Sequence, residues 1–349
     1  MTLDPVFRSQ DAVEQIRRDG FLERMADSRL AHEEAIRYIH GLMPQVLGPG
    51  YMDPQAAVPG EIEFLQNHFF LILFHSVFKT LDPGPARMLF YSRLNFCIKG
   101  VVTAGDNLFD DEAKKLLPLA VDGAGTRFAS ILQLLCFDRL MHRVCDDAVA
   151  DGCITRDQAI AVHRGLLDRL ASIGTLEGSE EKGVSEILPV DEMIEKVHRV
   201  RGGSLFSLAF VAPLILEEGE VRGRFEKAEQ AIRDLGTAFQ IVDDLTDFEF
   251  DLTRRSHNIV FAAAYHSGNP AERDAISRLL DGEPPEPRMV ETVFRSCAAS
   301  VLDRARAEGR RAFERLAELG FWFPPEHSDQ LVHAIVGIEG VERMESLSA

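Results

Sequence analysis

No stretch of this chain alternates apolar and polar residues with period two. Instead, segment after segment repeats its apolar residues at three- and four-residue spacing. That excludes a sheet-based fold and leaves a stack of amphipathic helices. Val13, Ile16, Phe21 and Met25 mark the first of two helical patterns over residues 10–47. A loop dense in breakers follows from Leu47 to Gly60, then a strongly apolar helix over Glu61–Leu81 that stops at Asp82-Pro-Gly-Pro85. Helical periodicity resumes over Ala86–Leu117, 124–150 and 156–173, with a Gly/Ser/Glu-rich connection at 174–186. Pro189 opens a helix running to Leu216, with a kink expected at Pro213. The pattern continues over 221–253 and, as shorter helices, over 256–281. Beyond the break at Gly282–Pro287 it returns over 288–320 and 328–345. Ten or more helices with short connections, no internal repeat and no long linker predict one all-α domain over residues 1–349. Residues 1–59 would form N-terminal helices and a loop packed on the core.

The chemistry is concentrated in Gly236-Thr-Ala-Phe-Gln-Ile-Val-Asp243-Asp244-Leu-Thr-Asp247. Leu235, Phe239 and Val242 give this helix an apolar stripe. Asp243 and Asp247 share a face one turn apart, with Asp244 beside them. Three carboxylates on one turn repel, and a bound cation is the simplest compensation; carboxylate oxygens suit Mg²⁺. A solvated acidic face is the bland alternative, but Phe239, Ile241 and Val242 are too apolar for an exposed turn. Asp106 and Asp110 repeat the i,i+4 arrangement on a separate long helix. Two such faces could clamp two or three Mg²⁺ ions at the mouth of a bundle cavity, an arrangement suited to an oligophosphate.

Charge and cysteines narrow the partners. The 349 residues carry 56 acidic against 38 basic side chains, a formal net charge of −18. That field disfavours nucleic acid and anionic membrane surfaces, yet leaves room for a phosphorylated substrate held by local bases and Mg²⁺. Five cysteines with no CxxC pairing predict neither a disulfide framework nor a zinc site. No signal peptide pattern follows Met1. The most apolar run, Phe69–Phe74, is too short to span a bilayer. A cytoplasmic protein that does not span a membrane is expected.

Phe239-Gln-Ile-Val-Asp-Asp-Leu-Thr-Asp247 resembles the second aspartate-rich motif of the trans-isoprenyl diphosphate synthases, within the class I terpenoid synthase superfamily. Asp106-Asn-Leu-Phe-Asp110 resembles their first motif, with Asn107 in place of a second Asp. Arg201-Gly-Gly-Ser-Leu-Phe206 is similar to the family's Lys-Thr-Gly/Ala-x-Leu-Phe segment, and its 42-residue distance from Asp243 fits. The resemblance covers roughly residues 60–320 and implies the isoprenoid synthase fold, helices around a central cavity.

It also implies roles. Asp106, Asp110, Asp243, Asp244 and Asp247 would coordinate three Mg²⁺ ions with bound diphosphate. Arg201, Arg254, Arg255, His257, Gln240, Lys114 and Lys115 would contact the diphosphate of an allylic prenyl substrate. Val101, Val102, Phe206 and Phe239 would line the prenyl pocket, the small valines admitting chains of farnesyl length or longer. A homodimer is expected by the same analogy.

The departures matter as much. Elongating members carry a Gly-Lys-Arg element upstream of the first motif for isopentenyl diphosphate; here Val58-Pro-Gly-Glu-Ile-Glu-Phe64 offers acids. Lys114 and Lys115 stand near the place of the family's paired arginines, one residue early and without the bidentate fork. The cyclases' Asn-Ser-Glu triad is absent too. The leading expectation is therefore ionisation of one allylic diphosphate, whose carbocation is cyclised or otherwise diverted. The alternative is a chain-elongating prenyltransferase using Lys99, Lys114, Lys115 and His75 for its second substrate. A third is a catalytically silent partner subunit.

Other signals read as structural. Asp138, His142 and Asp146 form an i,i+4,i+8 ladder on an amphipathic helix, best read as a solvated face. His68 and His75 lie in an apolar helix as core or pocket residues. Gly202-Gly203 sits mid-helix with no preceding strand, so it reads as close helix packing or a local helix break. Trp322, between Phe321 and Phe323, is expected in packing.

Overall fold

The computed structural model describes residues 18, 20–53, 61–109, 114–121, 125–329, 343 and 347. The described residues form α1 (Phe21–Leu42), α2 (Glu61–Leu81), α3 (Pro85–Phe109), α4 (Thr126–Ala150), α5 (Arg156–Glu180), α6 (Val190–Leu216), α7 (Gly219–Thr246), α8 (Phe248–Arg254), α9 (Ile259–Ser267), α10 (Pro270–Leu280), α11 (Met289–Thr292) and α12 (Arg295–Glu318). Among them there is no strand, only an isolated antiparallel bridge between Met52 and Leu119. The all-α expectation holds. The helical patterns expected before residue 18 and over 328–345 fall mostly outside the described residues.

Three boundaries differ from the periodicity, each for a local reason. α3 is described to Phe109, and residues 114–120, expected to continue it to Leu117, satisfy their backbone groups without a helix. Asn107 Nδ2 donates to the Lys114 carbonyl at 2.9 Å, and Lys114 N–H returns to Asn107 Oδ1 at 3.1 Å. Gln133 Oε1 accepts from Leu116 N–H at 2.8 Å, and Ala120 N–H donates to the Tyr51 carbonyl at 2.9 Å. α5 runs on past residue 173 to Glu180, through Gly174 and Gly178, and stops before Gly183 at φ +79°. The helix expected over 221–253 is two, separated at Asp247 with φ −95° and ψ 13°.

α6 is helical throughout but irregular. Residues Ile194–Gly203 form a π-helical segment and Leu208–Phe210 a 3-10 turn. The 3-10 turn answers to Pro213, whose ring crowds the carbonyl four residues earlier, so the helix is irregular just ahead of the proline. α6 is long and apolar enough to cross a membrane by length and composition alone. Over half of its apolar window is buried, and its π segment carries His198 and Arg201. It reads as a core helix.

The described residues cluster into two compact units. The first comprises Ile16–Gly165 and Ala209–Phe225. Its core stacks Phe78 edge-on against Phe210 at 4.9 Å and Phe225 at 5.2 Å. Arg224 Nη2 donates to the Thr80 carbonyl at 2.9 Å, satisfying an orphan acceptor at the end of α2. Gly100 is required where α3 meets α4: a Cβ there would lie 2.2 Å from the Phe137 ring.

The second unit comprises Leu166–Leu208 and the chain from Glu226 onward. Its core gathers Met193, Ile194 and Val197 of α6 and Ile241, Val242 and Leu245 of α7. Against them pack Phe248, Ile259, Val260, Phe294 and Val301, all almost fully buried. Asn269 caps α10 in a capping box with Glu272, whose other carboxylate oxygen accepts from Cys297 N–H at 3.0 Å. All five cysteines are unpaired.

Candidate active site

The second unit brings α6 and α7 together without side chains between them. A Cβ on Gly236 would sit 2.3 Å from the Gly202 carbonyl oxygen, and a Cβ on Gly202 would sit 2.3 Å from that of Gly236. Only glycine at both positions permits this approach, which accounts for the Gly202-Gly203 pair as close packing. The contact sets the π segment of α6 beside the acidic end of α7; such bulges recur at functional sites.

From that seam the side chains follow. Asp244 is buried, and its Oδ2 accepts from His198 Nε2 at 2.9 Å and from Ile259 N–H at 2.8 Å. Asn258 ties the turn together: its Nδ2 donates to the Asp244 carbonyl at 2.7 Å and to Asp251 Oδ2 at 2.9 Å. Gln240 Nε2 donates to Asp243 Oδ2 at 3.1 Å and lies 3.4 Å from Asp244 Oδ1. Asp244 is thus committed to fixing the α7–α9 corner. Asp243 and Asp247 stand on the more open side, half-buried and exposed.

The carboxylates crowd each other. Burial, then Asp247 and Asp244, holds the Asp243 carboxyl well above the usual carboxylate range, opposed by Arg201. Asp251, one turn beyond Asp247, is pushed up to about 9 by burial and then by Asp244, with Asn258 opposing. A divalent cation would relieve this strain, and an all-oxygen donor set suits Mg²⁺. Among the described residues no three His, Cys, Asp or Glu side chains already form a metal-holding group. Mg²⁺ bound here would keep water or substrate oxygens in its shell, which is its ordinary habit.

Arg201 lies on the same site but is not idle. Its Nε donates to Glu177 Oε1 at 2.5 Å and its Nη2 to Glu180 Oε1 at 2.7 Å. Glu180 Oε2 also accepts the His257 N–H at 3.0 Å. Burial alone would lower the guanidinium, but Glu177 and Glu180 outweigh it and hold Arg201 above its ordinary value.

The remaining expected residues are scattered. Phe206 and Phe239 pack ring on ring at 5.6 Å in the second unit. Arg254 and Arg255 are exposed at the end of α8, with the Arg254 guanidinium over the Phe250 ring and Arg255 left-handed at φ 58°. Asp106 is exposed on α3 of the first unit, where Val101 and Val102 are half-buried. Asp110 lies outside the described residues. Lys114 and Lys115 border a cavity of about 420 Å³ in the first unit, with Asn107, Thr126, Ser130 and Gln133. Asn107 is buried and pins the 114 backbone, which is a structural duty.

Of the motifs read as structural, Asp146 pairs with Arg156 at 2.6 Å and His142 stacks on His163 at 4.0 Å. His68 is buried and His75 half-buried. Trp322 is half-buried between Phe321 and Phe323.

Sequence reasoning missed His198, Asn258, Asp251, Glu177 and Glu180. Extending the Asp243/Asp247 face one more turn would have reached Asp251. His198 precedes Arg201 at i,i+3 and was visible in the same way. Glu177 and Glu180 lay in a stretch read as a connection.

No family model matches the sequence, and no curated protein matches it. Solved structures do. A polyprenyl synthetase from Streptomyces coelicolor A3(2) aligns with a TM-score of 0.59 at 16% identity, over 90% of this chain and 99% of that one. The chain has the polyprenyl synthase fold. A polyprenyl synthase from Caulobacter crescentus CB15, complexed with calcium and isoprenyl diphosphate, aligns with a TM-score of 0.56 at 12% identity, over 94% and 98% of the two chains. A geranylgeranyl pyrophosphate synthase from Lactobacillus brevis ATCC 367 gives 0.53 at 13% identity, over 95% and 97%. The polyprenyl synthase fold is the one that the two aspartate motifs and the Arg201 segment implied.

Proposed function

We propose that this protein is an enzyme that ionises an allylic prenyl diphosphate in a Mg²⁺-dependent reaction and passes the prenyl group to an acceptor. One observation carries the reading: the crowded Asp243 and Asp247 carboxylates beside Arg201, a cation-seeking face next to a phosphate-seeking cation. Bound Mg²⁺ would supply charge neutralisation for the departing diphosphate. Asp243, Asp244 and Asp247 are the proposed metal-site residues of the second unit, Asp244 by holding the turn through His198 and Ile259; Asp106 and Asp110, in the first unit, are proposed as metal ligands on their sequence motif alone. Arg201 and His257 are the proposed diphosphate contacts, Gln240 orienting Asp243 beside them. Phe206 and Phe239 offer an apolar, aromatic wall that keeps water from the cation.

Chain elongation is the fate of the prenyl group that the comparisons favour, because the solved structures of this fold named above are polyprenyl and geranylgeranyl diphosphate synthases. This reverses the order expected from the sequence. In the first unit, Lys99 is half-buried and donates to the Asn67 carbonyl, with His68 Nδ1 at 3.5 Å. Burial, then Lys114, pushes it down to about 7. Lys99 and Asp106 share one face of α3, two turns apart. This basic cluster is our candidate for holding a second diphosphate in place of the missing Gly-Lys-Arg element. The diverted-cation reading stays second, supported by the acids at Glu61 and Glu63. Purified protein incubated with Mg²⁺ and allylic diphosphates, with and without isopentenyl diphosphate, separates them by product mass. Longer prenyl diphosphates only with isopentenyl diphosphate support elongation. Hydrocarbon or alcohol products without it support the second reading, and no diphosphate release under any condition defeats both. We propose a homodimer acting as one catalytic domain per chain.

A further inference from the structure

The proposed diphosphate contact, Arg201, is already engaged. Glu177 and Glu180, both from the last turn of α5, take its Nε and Nη2 at 2.5 and 2.7 Å. These two nitrogens form one edge of the guanidinium fork, the edge that a phosphate would engage bidentately. Glu180 is almost fully buried and is further held by the His257 N–H. A surface pair would be a weak, solvent-screened contact, but Arg201 is only 16% exposed and Glu180 5%. Breaking this pair without a replacement would strand a buried charge.

The surroundings make the contact selective. Arg201 faces Glu177, Glu180, Asp243 and Asp244, with Asp247 and Asp251 on the next turns. A free diphosphate approaching this group meets carboxylates on the guanidinium and more carboxylates beside it. A diphosphate accompanied by divalent cations does not, because the cations balance Asp243 and Asp247 and the anion can then compete for the fork. We infer that Glu177 and Glu180 are specificity-determining residues that restrict the site to metal-complexed diphosphates, by occupying Arg201 until the metal charge is present. This rests on the reading of Arg201 as a diphosphate contact.

Binding of inorganic diphosphate to the full chain, by calorimetry, tests it apart from turnover. Wild type should bind diphosphate with Mg²⁺ and show no measurable binding in a chelator. The Glu177→Gln/Glu180→Gln double variant should bind diphosphate measurably in the chelator, with a Kd at least tenfold below the weakest Kd the assay can detect, and adding Arg201→Gln should abolish that binding. Should the double variant fail to fold, Glu177→Gln alone, at the half-exposed end of the pair, should still bind measurably in the chelator, with a Kd at least threefold below the weakest Kd the assay can detect. No gain in metal-free binding in a folded variant overturns the inference. Wild type that fails to bind diphosphate even with Mg²⁺ instead overturns the reading of the site on which it rests.

Discussion

Replacing Gly236 with alanine places two known effects in opposition at the α6–α7 seam. In a helix interior, alanine is favoured over glycine by about 1 kcal/mol, which taken alone predicts a more stable protein. The seam forbids it: the new methyl would lie 2.3 Å from the Gly202 oxygen and 3.0 Å from Phe206 Cβ. Merely reaching 3.0 Å requires the two backbones to part by about 0.7 Å, because a carbonyl cannot rotate away like a side chain. Overpacking of this kind costs ~1–3 kcal/mol, and a rigid backbone neighbour puts the cost at the upper end. Gly236→Ala should therefore destabilise by ~2 kcal/mol net and weaken Mg²⁺-dependent diphosphate binding, since Arg201 and His198 move with α6. Gly223→Ala, in the same helix with nothing within 4 Å, should stabilise by up to ~1 kcal/mol. Denaturant unfolding midpoints at constant m-value read both. If Gly236→Ala proves as stabilising as Gly223→Ala, the seam is not a tight contact and its positioning role falls.

Further outcomes follow from other residues. Lys99 is depressed from 10.5 to about 7, so the unfolded chain binds the extra proton and folding bears a penalty below pH 7 that fades as pH rises towards 10. That shift corresponds to ~5 kcal/mol. Lys99→Met should raise stability most at and below pH 7 and flatten the rise between pH 7 and 10, measured by denaturant titration at several pH values. Asp247→Asn removes a charge that crowds Asp243, so it should leave stability in chelator unchanged or slightly higher. It should also erase the stabilisation by Mg²⁺ with diphosphate, read as a rise in melting temperature, which for a wild-type site at a hundredfold excess over Kd is ~2.7 kcal/mol. Asn107→Ala removes the partner of the Lys114 N–H, while Gln133 Nε2 at 3.2 Å keeps the Lys114 carbonyl, and should cost ~1–3 kcal/mol, with faster hydrogen exchange at Leu116 and Leu117.

Helix identity was legible because the apolar spacing at Phe21 and Met25, and its recurrence down the described chain, admits no strand. The ends of helices were less so, because they depend on partners remote in sequence. α3 does not continue through 114–117, where Asn107 and Gln133 capture the backbone, and nothing in the local periodicity announces that capture. At the site, the Asp243/Asp247 face was visible from i,i+4 spacing, and Arg201 from its resemblance to a known segment. The duties within the site were not. Asp244 looks in sequence like a third equivalent ligand, yet packing turns it inward to His198 and Ile259 N–H. Glu177 and Glu180 carry no local signal at all, because their meaning comes from where α5 ends relative to Arg201.

The central claim is that the Asp243, Asp247 and Arg201 site ionises an allylic prenyl diphosphate with Mg²⁺. Release of inorganic diphosphate from a panel of allylic prenyl diphosphates, with Mg²⁺ and with chelator, tests it most directly. The account predicts release on at least one substrate that stops in chelator and in Asp243→Asn. Release that persists in chelator or in Asp243→Asn, or no release from any allylic substrate with Mg²⁺, contradicts it.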